Sequence, residues 1–279
     1  MNSKTLHPYL QLVRPVNVAI VFATIVAGGF LAGPGGWDIL LVFVAGLSGA
    51  LIAAGGNAIN DFFDIAIDKI NRPDRPLPRG ALSLKEAQTI WISLSASGAV
   101  LSLFLGFWNL LIACVWIGGL YVYSRYLKGT VLVGNFAVAL MTGLAFPFGA
   151  LVAGRPSLGV YPGLFAFLAN LAREMIKDVE DVDGDAMVNA ETLPVKHGAN
   201  AGLLAATIVL GTLILLTFLP VIAGVYNYAY LLFILIVDLG LGFVGMSYWY
   251  DPSLSNLRRL SLILKGCMVG GLLAIFAGS

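Results

Sequence analysis

Between Asn57 and Gly80 the chain reads NAINDFFDIAIDKINRPDRPLPRG, with three aspartates, Asp61, Asp64 and Asp68, at i, i+3 and i+7. On a helix those offsets line carboxylates along one face over about 10 Å. Asn57 and Asn60 stand one turn earlier, Asn57 on the same face. Like charges so placed repel, more strongly when desolvated, and a bridging cation removes the repulsion. The stretch ends in prolines, which stop a helix, and in Arg72, Arg75 and Arg79. The device returns in REMIKDVEDVDGDAMVNAETLPVKHG, where Asp178, Asp181 and Asp185 each follow their counterparts by 117 residues. Both arrays are followed by an Asn (Asn71, Asn189), a Leu-Pro pair (Leu77-Pro78, Leu193-Pro194) and a Gly (Gly80, Gly198). Oxygen-only sites of Asp and Asn suit Mg²⁺, a hard cation that keeps waters and shares its coordination with phosphates. Two such arrays with arginines and lysines nearby predict a clamp for a diphosphate. An allylic diphosphate so held ionises once metal and cations neutralise its leaving group, and an acceptor then attacks the allylic carbon. No Ser-His-Asp or Cys-His set accompanies the arrays, so the chemistry rests on metal and substrate.

The elements that must position these residues are membrane helices. Of 279 residues 59% are hydrophobic and 11% charged, and the mean hydropathy is +0.90. Such a composition describes an all-α polytopic membrane protein and not a soluble domain. Apolar windows of bilayer length fall at 12–32, 38–59, 84–105, 108–126, 130–153, 160–178, 199–219, 227–248 and 257–277. The first is expected as a retained helix, since it lacks a small-residue cleavage site. Very short links at Gly106-Phe107 and Lys128-Gly129 make the neighbouring windows antiparallel hairpins. With nine spans, one side of the membrane receives Lys4, Arg14, Lys69, Arg72, Arg75, Arg79, Lys85, Arg125, Lys128, Arg173, Lys177, Lys196, Arg258, Arg259 and Lys265, and the other only Arg155. The bias predicts a cytoplasmic N-terminus, an outside C-terminus and both arrays on the cytoplasmic side. A four-helix offset keeps direction, so spans 1–4 and 5–8 form a parallel repeat and span 9 is an addition. The expected organisation is one transmembrane domain over residues 1–279.

The remaining polar residues have plainer readings. Asp238 lies within the eighth window, where a carboxylate should avoid lipid and a structural hydrogen bond is expected. Asp181-Val-Asp183-Gly-Asp185 does not fit a calcium loop, because its glycine comes too early and no closing Glu follows. His7 and His197 are isolated loop residues. Cys114 and Cys267 fall in apolar spans and fit packing, with no disulfide or zinc spacing. Arg125 and Lys128 end the fourth window, within reach of an anion. A cation-coupled transporter is the rival class, but it would place its acids near the midplane, where only Asp238 stands.

The Asn60-Asp61-x-x-Asp64-x-x-x-Asp68 motif, the NRPDRPLPRG after it and the second array resemble the UbiA-type intramembrane prenyltransferases over nearly the whole chain. The resemblance implies nine transmembrane helices around a central cavity and two magnesium-binding cytoplasmic loops. It implies Asp61, Asp64 and Asp68 on one metal, Asp178, Asp181 and Asp185 on the other, and Asn60 in support. Arg72 and Lys128 would grip phosphate oxygens; Asn57, Arg14, Asn17, Arg125 and Lys177 complete the expected substrate contacts. REMIKDVEDVDGD with TLPVKHG is most similar to the archaeal branch that moves a geranylgeranyl group onto geranylgeranylglyceryl phosphate. Relatives acting on aromatic quinone precursors or tetrapyrroles share the first motif. The implied partners are a prenyl diphosphate, a lipid-phosphate acceptor and membrane lipids, with no nucleic acid and no protein.

Overall fold

The computed structural model describes residues 7–33, 35, 38–187 and 190–279, and these residues form helices and turns without a strand. Lys4 and Asn189 lie outside the described residues. Helix α1 (Pro8–Val13) leads into α2 (Pro15–Leu31), then α3 (Asp38–Phe63) and the short α4 (Ile65–Asn71). A loop brings the chain to α5 (Leu84–Leu105), α6 (Phe107–Val122) and a single π turn at Tyr123–Leu127. Next come α7 (Val133–Gly143), α8 (Ala145–Val152), a 3₁₀ turn at Pro156–Gly159, and α9 (Val160–Glu180). The remainder is α10 (Val182–Met187), α11 (Leu193–His197), α12 (Ala199–Leu216), α13 (Leu219–Ile222), α14 (Tyr228–Tyr250) and α15 (Leu254–Gly278).

Among the described residues seven helical segments are long and apolar enough to cross a bilayer. They are Asp38–Phe63, Leu84–Leu105, Phe107–Leu127, Val133–Val152, Ala199–Ile222, Tyr228–Tyr250 and Leu254–Gly278. Of the nine expected windows, the first is shortened to the 17-residue Pro15–Leu31, because Pro15 ends the preceding turn at Arg14. The sixth forms α9, whose last two turns carry Arg173, Glu174, Lys177, Asp178 and Glu180. Prolines break two other windows at the carbonyl they cannot bond. Pro147 would need Gly143, where α7 ends, and Pro220 would need Leu216, where α12 ends.

The chain divides into two compact units, one of residues 1–128 and 144–160, the other of 129–143 and 161–279. The division runs through the expected fifth span, at the break before α8.

In the first unit α8 packs on α2 through glycines. A Cβ added to Gly149 would stand 1.9 Å from the Ile25 carbonyl oxygen, and one on Gly28 2.3 Å from that of Phe146. Only glycine lets those backbones meet, the usual way helices associate where lipid removes the hydrophobic drive. Helices α3 and α5 meet through Ser48, whose Oγ donates to the Gly98 carbonyl at 2.8 Å. Leu77 and Leu82 bury themselves with Leu12, Ala58 and Ala87, which pins the proline-rich loop after α4. Ser83 and Glu86 then close a capping box that starts α5.

In the second unit α14 and α15 form the closing hairpin. Asp238 on α14 accepts from Thr217 Oγ1 at 3.0 Å, and Tyr230 donates to the Thr217 carbonyl at 2.8 Å. The carboxylate therefore ties α14 to the end of α12, as a structural acid would.

Candidate functional site

Both arrays fold in the same local way. The long helix ends one residue before the middle aspartate, and a short helix follows it: Phe63–Asp64–Ile65 and Glu180–Asp181–Val182. A continuous helix was the expectation. The backbone ladder nevertheless bridges each break, since Asp64 N–H donates to Asn60 and Asp68 N–H to Asp64, at 3.0 and 2.8 Å. At the second array Asp181 N–H donates to Lys177 and Asp185 N–H to Asp181, at 2.8 and 2.9 Å. The i, i+3, i+7 order of the side chains thus survives a change of helix.

In the first unit Asp61, Asp64 and Asp68 are only 2%, 6% and 4% exposed. Carboxylates so buried need partners, and each has a cation. Arg14 reaches Asp61, Lys128 reaches Asp64, and Arg75 spans Asp68 and Asp61, the latter at 3.1 Å. Asn60 Nδ2 donates to Asp64 Oδ2 at 2.7 Å. Three carboxylates thus face three cations. Burial still pushes the Asp68 carboxyl above its ordinary range, against the pull of Arg75.

Each cation is placed by an identifiable local cause. Arg14 caps two helices at once in a left-handed backbone (φ 55) that a non-glycine residue seldom adopts. Asn57 holds that junction by donating to the Val13 carbonyl at 2.8 Å. Arg75 rides on the loop pinned by Leu77. Lys128 follows the π turn, its N–H donating to Tyr123 at 2.8 Å. Arg72, the expected phosphate contact, is an exposed cap residue at the end of α4. Arg75, three residues on, is the arginine of this loop that pairs with Asp61 and Asp68. Arg125 lies over the rings of Phe63 and Tyr126, 5.7 and 5.2 Å from their centroids, and Asn17 is exposed on the first turn of α2.

In the second unit Asn135 of α7 donates to Asp178 at 2.7 Å, doing for this array what Asn60 does for the first. Asp181 and Asp185 are half-buried, whereas Asp183 between them is exposed. Lys177 turns to Glu174 at 3.4 Å.

Among the described residues no three His, Cys, Asp or Glu side chains converge as a ready-made metal cage. The donor set is still that of a hard divalent cation: oxygens alone, steadied by Asn60 and Asn135. Magnesium retains waters and shares ligands with phosphate oxygens, so it does not require an all-protein cage. The residues fit it.

The sequence profile of the UbiA prenyltransferase family matches residues 21–264. The chain is 43% identical over 223 residues to digeranylgeranylglyceryl phosphate synthase of Methanopyrus kandleri, covering 80% of this chain and 82% of that one. A solved structure of digeranylgeranylglyceryl phosphate synthase in membranes superposes with a TM-score of 0.81 at 32% identity, over 100% of this chain and 99% of the other. A UbiA homologue from Archaeoglobus fulgidus, solved bound to DMAPP and Mg²⁺, shares the fold at 19% identity and a TM-score of 0.63, over 96% and 99% of the two chains. The chain belongs to the UbiA prenyltransferase family, and the reaction it catalyses is the transfer of a prenyl group.

Proposed function

We propose that the chain transfers a geranylgeranyl group from geranylgeranyl diphosphate to the free hydroxyl of geranylgeranylglyceryl phosphate, forming the second ether of archaeal membrane lipids. The observation that carries this reading is the first array, in which Arg14, Arg75 and Lys128 already face Asp61, Asp64 and Asp68. A diphosphate entering with divalent cations can exchange partners with all six groups. Asp61, Asp64 and Asp68, and in the second array Asp178, Asp181 and Asp185, would hold magnesium. Bound magnesium supplies neutralisation of the charge that develops on the leaving diphosphate. Arg14, Arg75 and Lys128 turn from carboxylates to diphosphate oxygens. Asn60 and Asn135 keep Asp64 and Asp178 oriented, and Asn57 keeps Arg14 at its junction. The allylic C–O bond breaks, the acceptor hydroxyl bonds to the allylic carbon, and its proton leaves to solvent or diphosphate.

The acceptor is supported by the likeness to the Methanopyrus kandleri enzyme; an aromatic quinone precursor or a tetrapyrrole is the competing choice. Purified protein given labelled geranylgeranyl diphosphate and magnesium should prenylate geranylgeranylglyceryl phosphate and leave an aromatic carboxylic acid and a porphyrin unmodified. Faster turnover of either competitor would overturn the choice of acceptor.

The proposal includes nine spans, with α2 (17 residues, about 25 Å) and α9 (21 residues, about 31 Å) completing the seven. A parallel repeat then puts both arrays on one side, and the bias of lysine and arginine to that side makes it, with the N-terminus, cytoplasmic and the C-terminus outside. Cysteine substituted singly at Arg79, Lys196 or Arg155, after removal of Cys114 and Cys267, tests it. Positions 79 and 196 should react with a reagent confined to the cytoplasmic side, and position 155 only from outside. Reaction of 79 and 196 from opposite sides would end the parallel repeat.

A further inference from the structure

Helices α9 and α15 carry basic residues that the arrays do not use. Arg258 near the start of α15 meets Glu180 at the end of α9, Nε to Oε1 at 3.2 Å. Seven residues back along α9 stands Arg173, and seven forward along α15 stands Lys265. Two turns keep a side chain on the same helix face and move it about 10 Å along the axis. The Arg258–Glu180 pair therefore joins the start of α15 to the end of α9, and Arg173 and Lys265 each stand two turns along from it on the same face of their own helix.

Counter-charge for these residues is short. Arg173 Nη1 donates to Glu174 at 2.6 Å and Lys177 Nζ to the same carboxylate at 3.4 Å. Arg173 Nε is buried and donates to no acceptor among the described residues. Lys265 lies on the face of α15 that Arg258 turns toward Glu180. Lys265 itself sits near the midpoint of an apolar 25-residue helix, where an ammonium is costly and serves a function as a rule. Arg173, Lys177 and Lys265 have Glu174 as their shared counter-charge and Asp178, held by Asn135, as the next carboxylate along α9, so positive charge exceeds negative there by one formal unit.

We propose that Arg173, Lys177 and Lys265 bind the phosphate of the acceptor lipid. A phosphomonoester carries about −1.5 to −2 at neutral pH and offers three strong acceptor oxygens. Its charge complements that surplus without a metal, and the Arg173 Nε, which has no acceptor among the described residues, suits its oxygens. The first array, by contrast, is balanced among its own residues. The inference rests on the acceptor being a lipid phosphomonoester, as proposed above.

Lys265→Met tests it with the least disturbance, because it breaks none of the ion pairs described. The KM for geranylgeranylglyceryl phosphate should rise about tenfold or more, with kcat and the KM for geranylgeranyl diphosphate little changed. The preference over the dephosphorylated acceptor should fall by the same factor, and Lys265→Arg should restore most of it. A matching loss with both acceptors, a rise in the donor KM, or no change at all would overturn the assignment. Native mass spectrometry with phosphatidic acid as probe separates this from the choice of acceptor. The wild-type protein should retain that lipid over diacylglycerol, and K265M should not. Retention by a protein that prenylates neither acceptor would sink the acceptor while leaving the site standing; absence of retention would remove the site.

Discussion

Asp64→Ala and Asp181→Ala should each lower turnover by about a hundredfold or more, the effect of removing one contact to a developing anion, worth about 3 kcal/mol. The two positions are equivalent in the fold: each is the single residue between a long helix and the short one after it. They differ in what else is lost. Asp64 is buried against Lys128, so its removal leaves a cation without its partner and destabilises the protein as well. Asp181 is half-buried, and its effect should fall on turnover alone. Rates are therefore compared per folded molecule, with melting temperature measured alongside, and Asp64→Asn separates charge from packing. If both arrays serve one reaction, the double variant loses less than the product of the two single losses, because residues acting as a unit are not additive. Asp183→Ala is the internal control. It is exposed and off the face, so it should keep most of its activity. Equal sensitivity at Asp183 and Asp181 would mean that the wrong carboxylates were identified. A transporter would instead concentrate its losses at Asp238, whose bond to Thr217 marks it for folding.

The arrays are legible in the sequence because their information is local: Asp61, Asp64 and Asp68 are spaced by the helix itself. Local for the same reason are the bounds of α5 and the turn at Gly106, where a φ of 115 demands glycine between two helices. The breaks after Gly143 and Leu216 were also open to reading, since Pro147 and Pro220 stand four residues on. Hydropathy windows ran through them because proline barely lowers an apolar average. The partners were harder. Asn135 meets Asp178 across 43 residues, and nothing near either residue announces the other. Which arginine of the loop meets the aspartates turns on the burial of Leu77 and Leu82 against Leu12 and Ala58. That packing folds the loop back so that the second arginine, not the first, reaches Asp61 and Asp68. Spacing finds what one helix arranges; it does not find what a loop delivers.

Chelation should abolish turnover. In the first array the formal charges of Asp61, Asp64 and Asp68 are matched by Arg14, Arg75 and Lys128, so the site has no positive charge to spare. A diphosphate brings several further negative charges into a region where the carboxylates are almost fully buried, and repulsion at low dielectric is severe. The three protein cations can turn toward the phosphate oxygens only if something else neutralises the aspartates they leave. Asp61, Asp64 and Asp68 would hold a divalent ion, which would do both jobs. Purified protein in excess EDTA should therefore fall to background, and added Mg²⁺ in excess of the chelator should restore it. Ca²⁺ should restore much less, because it prefers longer bonds and more ligands than the octahedral shell magnesium shares with phosphate. Donor binding should weaken along with turnover, which separates this account from one in which the metal only assists bond breaking. Full turnover in chelator would mean that the lysine and arginines neutralise the diphosphate unaided, and that the two aspartate arrays are structural.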